Sequence, residues 1–499
     1  MKKTKYLVFA GFIAAVASAC GQPQTAQTKA SQETGTLAEE TTEGAAGTEK
    51  TNGIKTITLD ELKEGTQLID VREEEQYIGW DTAEGKGGHI PEAVDFPESW
   101  IMQDPETYAI GTNIENELAR RGLDPSMPVV LYDNGTVSEE TAGAYAGIGF
   151  SDISVLDGGF NAYVDAGRET EKLSGYTTLV YPDWVQALIN GETPEGYDGG
   201  EYKIVEFSLS SEDGEYDSGH IPGAINMKDT FNHVPGLRAL AEYENVPMEE
   251  QLKFWNRNED PVTQEMLENA GITKDTTVIL YATTPATTAA YRAGMLMDYA
   301  GVKDIRFLNG GKTLWKLQGR ELENEANVPE AVSFGATVPV NPDVVYDYDD
   351  ELGVVEDENA VVASIRSWDE YIGKISGYTY IGEAGDIAKA RFGYAGSDPY
   401  SMEDFRNIDN TTFNYEIIKD RWVRWGIVPE KRISFHCGTG WRASETYWYA
   451  KMMDYPDVHV YDGGWYEWSK MPDSPKKEPG VPEDAPEQKP EEFFIVKEK

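Results

Sequence analysis

A chain of 499 residues is too long for one compact core, and at roughly 100–200 residues per domain it calls for about three. Hydrophobic residues make up 40% of it, with 12 Trp, 28 Tyr and 16 Phe, which excludes disorder throughout. The 43 Lys and Arg against 88 Asp and Glu leave a formal net charge of -45, which repels a phosphate backbone and argues against nucleic acid as a partner. Two cysteines cannot build a disulfide framework, so each needs its own explanation.

The first stands at the end of an export segment. Lys2, Lys3 and Lys5 precede an apolar run from Tyr6 to Val16, too short to span a membrane as a mature helix, and Ala17, Ser18 and Ala19 lead to Cys20. Basic, apolar, then small is the order a signal peptidase reads, so residues 1–19 are the expected signal peptide. Ala17-Ser18-Ala19-Cys20 resembles the lipobox of bacterial lipoproteins, with Ala17 where Leu is usual. That resemblance implies lipidation of Cys20 and a body anchored to a membrane of the bacterial cell envelope, facing the periplasm or exterior. An ordinary secretory signal with a chance cysteine at the cut is the alternative. Residues 20–52, almost without large apolar side chains, read as a flexible stalk.

A pattern then recurs three times. Its first mark is a turn: Gly88-His89-Ile90-Pro91-Glu92-Ala93, Gly219-His220-Ile221-Pro222-Gly223-Ala224, and the degraded Gly385-Asp386-Ile387-Ala388-Lys389-Ala390. Its second is a short apolar strand followed by a segment of helical character: Val129 to Tyr132, Val278 to Tyr281 and Ile433 to His436. Its third is a glycine pair: Gly158-Gly159, Gly310-Gly311 and Gly463-Gly464. Strands alternating with helices predict an α/β fold of three tandem domains, each a mainly parallel sheet flanked by helices, with function at the carboxyl ends of the strands. The expected bounds are 53–172, 173–328 and 329–475. The charged tail, 476–499, reads as extended, with Phe493, Phe494, Ile495 and Val496 available for docking.

These marks resemble the rhodanese family, whose domain carries an acidic-Val-Arg strand, a Gly-His-Ile-Pro-Gly-Ala turn, an active-site loop after the central strand and a Gly-Gly-aromatic ending. The first copy matches with Ile69-Asp70-Val71-Arg72 and the second with Ile204-Val205-Glu206. The third has Ala363-Ser364-Ile365-Arg366, losing the acid and keeping the arginine, and ends in Asp462-Gly463-Gly464-Trp465. The family places a nucleophilic cysteine directly after the central strand. Here those positions are Asp133, Ala282 and Cys437, so the resemblance implies two inactive domains and one catalytic domain.

The loop Cys437-Gly438-Thr439-Gly440-Trp441-Arg442, before an expected helix from Ala443 to Met453, has the makings of an anion cradle. Glycines let several N–H groups turn inward, and a helix start adds partial positive charge. Both favour a thiolate. The expected chemistry is sulfane-sulfur transfer: thiolate attack on thiosulfate, departure of sulfite, and delivery of the Cys437 persulfide to cyanide or a thiol. Amides from Gly438 to Arg442 would stabilise the anionic sulfur, and Arg442 would close the loop by bonding its carbonyls or the bound anion. Arg366 is either a second anion contact or a structural ion-pair partner, and Trp441 either walls the pocket or lies on the surface. A buried, inert Cys437 is the bland alternative.

Tyrosine phosphatases use His-Cys-x5-Arg, whereas here four residues separate Cys437 from Arg442, a tighter cradle that suits sulfur better than phosphate. Gly438-Thr439-Gly440 lacks the basic residues of loops that prefer thiosulfate and resembles those that use 3-mercaptopyruvate; thiosulfate is placed first and 3-mercaptopyruvate second. A non-catalytic scaffold or persulfide carrier is the reading of a different class. No cofactor or metal is expected, because His89 and His220 lack ligand partners at metal spacing and read as structural. The acidic run from Asp347 to Glu358 reads as a solvated linker edge, and Asp133 as part of a degenerate site.

Overall fold

The computed structural model describes residues 54–208, 215–228, 230–232, 246–282 and 287–486. The signal segment, Cys20, the stalk and residues 493–496 lie outside the described residues. No helix among the described residues is long and apolar enough to cross a membrane.

Three parallel sheets of five strands follow one another along the chain. The first joins β1 (Lys55–Ile57), β2 (Gln67–Asp70), β3 (Val94–Asp95), β4 (Val129–Tyr132) and β5 (Ile153–Leu156) in the order β1-β5-β4-β2-β3. The second joins β6 (Leu179–Val180), β7 (Tyr202–Phe207), β8 (Ile225–Met227), β9 (Thr277–Ala282) and β10 (Asp304–Leu308) in the order β6-β10-β9-β7-β8. The third joins β11 (Val345–Tyr346), β12 (Ala360–Ser364), β13 (Arg391–Phe392), β14 (Arg432–His436) and β15 (Val458–Tyr461) in the order β11-β15-β14-β12-β13. The central strands β4 and β9 are buried at every residue, as sheets covered on both faces require. Chain order reverses beside each central strand, so the loop leaving its carboxyl end sits where such sheets place their sites.

The three turns share one backbone. Gly88, Gly219 and Gly385 have φ of 99°, 146° and 145°, and Glu92, Gly223 and Lys389 repeat a left-handed residue four positions on. Each turn carbonyl is held by a buried cation, but not from the same place. Arg72 reaches the Gly88 carbonyl at 2.6 Å and Arg366 the Gly385 carbonyl at 2.5 Å. In the second domain Lys312, from the helix after the glycine pair, reaches the Gly219 carbonyl at 2.9 Å. His89 and His220 stack on Tyr77 and Tyr216 at 3.9 and 3.6 Å and bond their backbone carbonyls.

Two expectations change. Asp347 to Glu358 is not an open edge: Asp347 forms a capping box with Asp350 and starts the helix Tyr348–Glu356, whose Glu351 is fully buried. Burial pushes the Glu351 carboxyl up to about 7. The segment after Lys476 lies on the third domain up to Pro486, with Lys476 paired to Glu383 at 2.8 Å and Asp484 to Arg391 at 2.7 Å. The second and third domains share one continuous hydrophobic core, through which the helices Thr288–Ala300 and Trp441–Met452 pack on each other.

Candidate active site

Strand β14 delivers Cys437 into a loop that is buried from Cys437 to Gly440. The helix begins at Trp441, two residues earlier than expected, so Arg442 belongs to its first turn. Gly440 caps that helix with φ of 81°, a left-handed conformation that favours glycine. At Gly438 a Cβ would overlap the Tyr378 ring. The glycine pair grips the loop from behind: Trp465 N–H donates to the Cys437 carbonyl at 2.8 Å and Tyr466 N–H to the Gly438 carbonyl at 2.9 Å. Any Cβ on Gly464 would lie 2.7 Å from the former oxygen and 2.8 Å from the latter.

With the carbonyls tied back, the amides are left over. Among the described residues, the backbone N–H groups of Gly438, Thr439, Gly440, Trp441 and Arg442 have no protein acceptor. Such a set of donors at a helix start suits an anion. The Cys437 side chain at its mouth is fully buried.

Arg442 departs from one of its two expected roles. It does not bond loop carbonyls; both terminal nitrogens hold the Glu370 carboxylate at 3.0 Å. Glu370 is buried by the capping box of Ser367, and a buried carboxylate demands cations. Arg366 is the second, 3.2 Å away through Nε, and its remaining donors go to the Gly385 and Ser376 carbonyls. Arg366 is therefore a structural ion-pair partner and not an anion contact. Burial raises the Glu370 carboxyl, but Arg442 and Arg366 override it and hold it at about 2. Trp441 is half-buried and packs on the main core.

An aromatic cluster stands near Cys437. Tyr378, buried over the loop, donates to the Pro399 carbonyl at 2.8 Å and stacks on Tyr380 at 5.2 Å. Tyr380 stacks on Trp255 of the second domain at 5.2 Å, and Tyr400, 62% exposed, meets the edge of Tyr378. Burial and the nearby Cys437 push the Tyr378 phenol well above its usual range, with Arg442 opposing, so it stays protonated. Beneath the loop, the acid missing at Ser364 reappears as Asp386, 3.0 Å from the His436 ring and 2.7 Å from the Ser364 hydroxyl.

Sequence reading missed Glu370, Tyr378, Tyr380 and Trp255. Only Glu370 left a signal, the Ser367-Trp368-Asp369-Glu370 capping box. Tyr378, Tyr380 and Trp255 come together solely through tertiary packing.

A model of the rhodanese-like domain matches residues 57–166, 182–318 and 352–471. Thiosulfate sulfurtransferase YnjE of Escherichia coli is 36% identical over 425 residues, spanning 84% of this chain and 91% of that protein. Sulfur carrier protein TtuD of Thermus thermophilus is 29% identical over 308 residues, spanning 59% of this chain and 94% of that protein. The structure of the anaerobic ergothioneine biosynthesis enzyme from Chlorobium limicola, in complex with its natural substrate trimethyl histidine, matches with a TM-score of 0.76 and 35% identity over 86% of this chain and 100% of that one. A structure of EanB with ergothioneine covalently linked to a cysteine persulfide matches equally, with a TM-score of 0.76 and 35% identity over 86% of this chain and 100% of that one. The chain belongs to the rhodanese-like family, among its sulfurtransferases and sulfur carriers.

Proposed function

We propose that this rhodanese-family chain moves sulfane sulfur through a persulfide on Cys437, with thiosulfate as donor and cyanide or a thiol as acceptor. The observation that carries the reading is the set of five unclaimed amides from Gly438 to Arg442 around one cysteine. The Cys437 thiolate attacks the outer sulfur of thiosulfate, the S–S bond breaks, and sulfite leaves with the electron pair. The amides stabilise the terminal sulfur of the persulfide. Cyanide then bonds that sulfur, thiocyanate departs, and the thiolate returns. Because Arg442 shares the single Glu370 carboxylate with Arg366, the cradle's positive potential combines backbone dipoles with the charge of a guanidinium held in place.

A second reading concerns the acceptor. Tyr378, Tyr380 and Trp255 form an aromatic layer over the loop, which suits a flat or cationic organic acceptor of the kind represented by trimethyl histidine in the relative. One assay separates the readings: the protein, loaded with thiosulfate or 3-mercaptopyruvate, is offered cyanide, a thiol and trimethyl histidine. Thiocyanate formation supports the first; a sulfur-bearing imidazole product supports the second. Loading with no turnover on any acceptor leaves a persulfide carrier, and no loading refutes both. Lipidation of Cys20 holds this body at the bacterial cell envelope; radiolabelled palmitate incorporated into the wild type and absent from Cys20→Ser tests it.

A further inference from the structure

A buried cation of the second domain reaches the cysteine loop of the third. Arg292 lies on the Thr288–Ala300 helix, which follows Ala282 as the Trp441–Met452 helix follows Cys437. Its side chain is fully buried and pairs with Asp462. The other guanidinium nitrogen donates to the Trp255 carbonyl at 3.2 Å and to Asn232 at 3.4 Å. The second oxygen of Asp462 accepts the Arg257 N–H, so both oxygens of a third-domain carboxylate are held by the second domain.

This pair bears on the loop at one residue. A Cβ on Gly440 would stand 2.9 Å from the Arg292 Nη1, 2.9 Å from the Asp462 carbonyl and 3.0 Å from its Oδ1. Gly440 is the hinge where the loop becomes helix. Asp462 also opens the Asp462-Gly463-Gly464 turn, after which the Trp465 and Tyr466 N–H groups hold the Cys437 and Gly438 carbonyls. One guanidinium therefore abuts one end of the cradle and fixes the segment that anchors the other.

We propose that Arg292 is a positioning residue for sulfur transfer at Cys437: through Asp462 it sets Gly440 and the glycine-pair turn, so that the second domain, with Ala282 in the cysteine position, completes the loop of its neighbour. The inference rests on the reading of Cys437 as the relay. It touches no substrate; it acts through the backbone that does.

The test uses the full chain as wild type, Arg292→Gln, Arg292→Lys, Asp462→Asn and the Arg292→Gln/Asp462→Asn pair. Persulfide on the Cys437 peptide is followed by mass spectrometry after thiosulfate or 3-mercaptopyruvate, alongside steady-state kinetics and thermal melting. Arg292→Gln is expected to load about 10- to 100-fold more slowly, with the loss in kcat and KM within about twofold, the signature of a misplaced reacting group. Arg292→Lys keeps the charge without the planar fork and recovers part of the rate. The paired variant falls no further than Arg292→Gln alone, since the two act as a unit. Loading by folded Arg292→Gln within about twofold of wild type, or additive losses in the pair, overturns the inference. Should Arg292→Gln melt below the assay temperature, Arg292→Lys decides, and a wild-type rate there overturns it. A wild type that takes up no sulfur overturns the relay itself and this inference with it; a loading wild type matched by its Arg292 variants overturns this inference alone.

Discussion

The first and third domains share a sheet order and a turn, yet they end differently at the central strand. In the first, Asp133 accepts the Asn134 N–H with its own side chain at 2.6 Å, and Ser138 caps the following helix through the Thr141 N–H at 2.9 Å. In the third, Cys437 is followed by five amides with no acceptor and by a glycine cap that offers no side chain. An acid in the cysteine position thus turns onto the amide next to it, where the matching amide of Gly438 stays without a protein acceptor among the described residues. The comparison teaches that the scaffold accepts either side chain at this position, and that what separates the two loops is the first amide after it, which the acid takes and the cysteine leaves.

The strongest way to break this comparison is Cys437→Ser, expected to lower sulfur transfer by about a thousandfold or more in a donor-to-cyanide assay, with an unchanged melting temperature. Arg442→Gln comes next. It leaves Glu370 buried against Arg366 alone, and chemical denaturation should show a loss of about 3 kcal/mol. The same carboxylate sets a pH dependence. Its folded value of about 2 lies below the ordinary 4.5, so its contribution of about 3 kcal/mol is present above pH 4.5 and is lost as the pH falls through about 2. Acid melts of the wild type should show this drop, and Glu370→Gln should flatten it. Gly464→Ala forces a Cβ to within 2.7 Å of the Cys437 carbonyl and should cost about 2 kcal/mol together with activity. Gly159→Ala, at the matching place in the first domain, should destabilise similarly and leave the specific activity unchanged. Smallest of all, Asp133→Ala should change the transfer rate by less than about twofold, since that loop takes no part.

The three sheets and Cys437 were legible because their signals are local: the Gly-His-Ile-Pro turns, the apolar central strands and the glycine pairs lie within a few residues of what they build. Even the degraded third turn kept its shape, since Gly385 and Lys389 supply the two positive φ values the backbone needs. What the sequence concealed is long-range. Arg442 meets Glu370 across 72 positions and Arg292 meets Asp462 across 170, and no spacing rule encodes either pair. Nor could a motif show that Lys312 replaces the arginine missing from the second domain, because it arrives from a different element to reach the same kind of carbonyl. The acidic run after Tyr346 misled through its charge, although Asp347 and Asp350 at capping-box spacing marked a helix start.

The most direct measurement is the mass of the Cys437 peptide from the whole protein, first after a sulfane donor and then after cyanide. The account predicts a gain of one sulfur atom on Cys437, lost again in step with an equal amount of thiocyanate. Thiocyanate formed while Cys437 stays unmodified, or formed equally by Cys437→Ser, would contradict it.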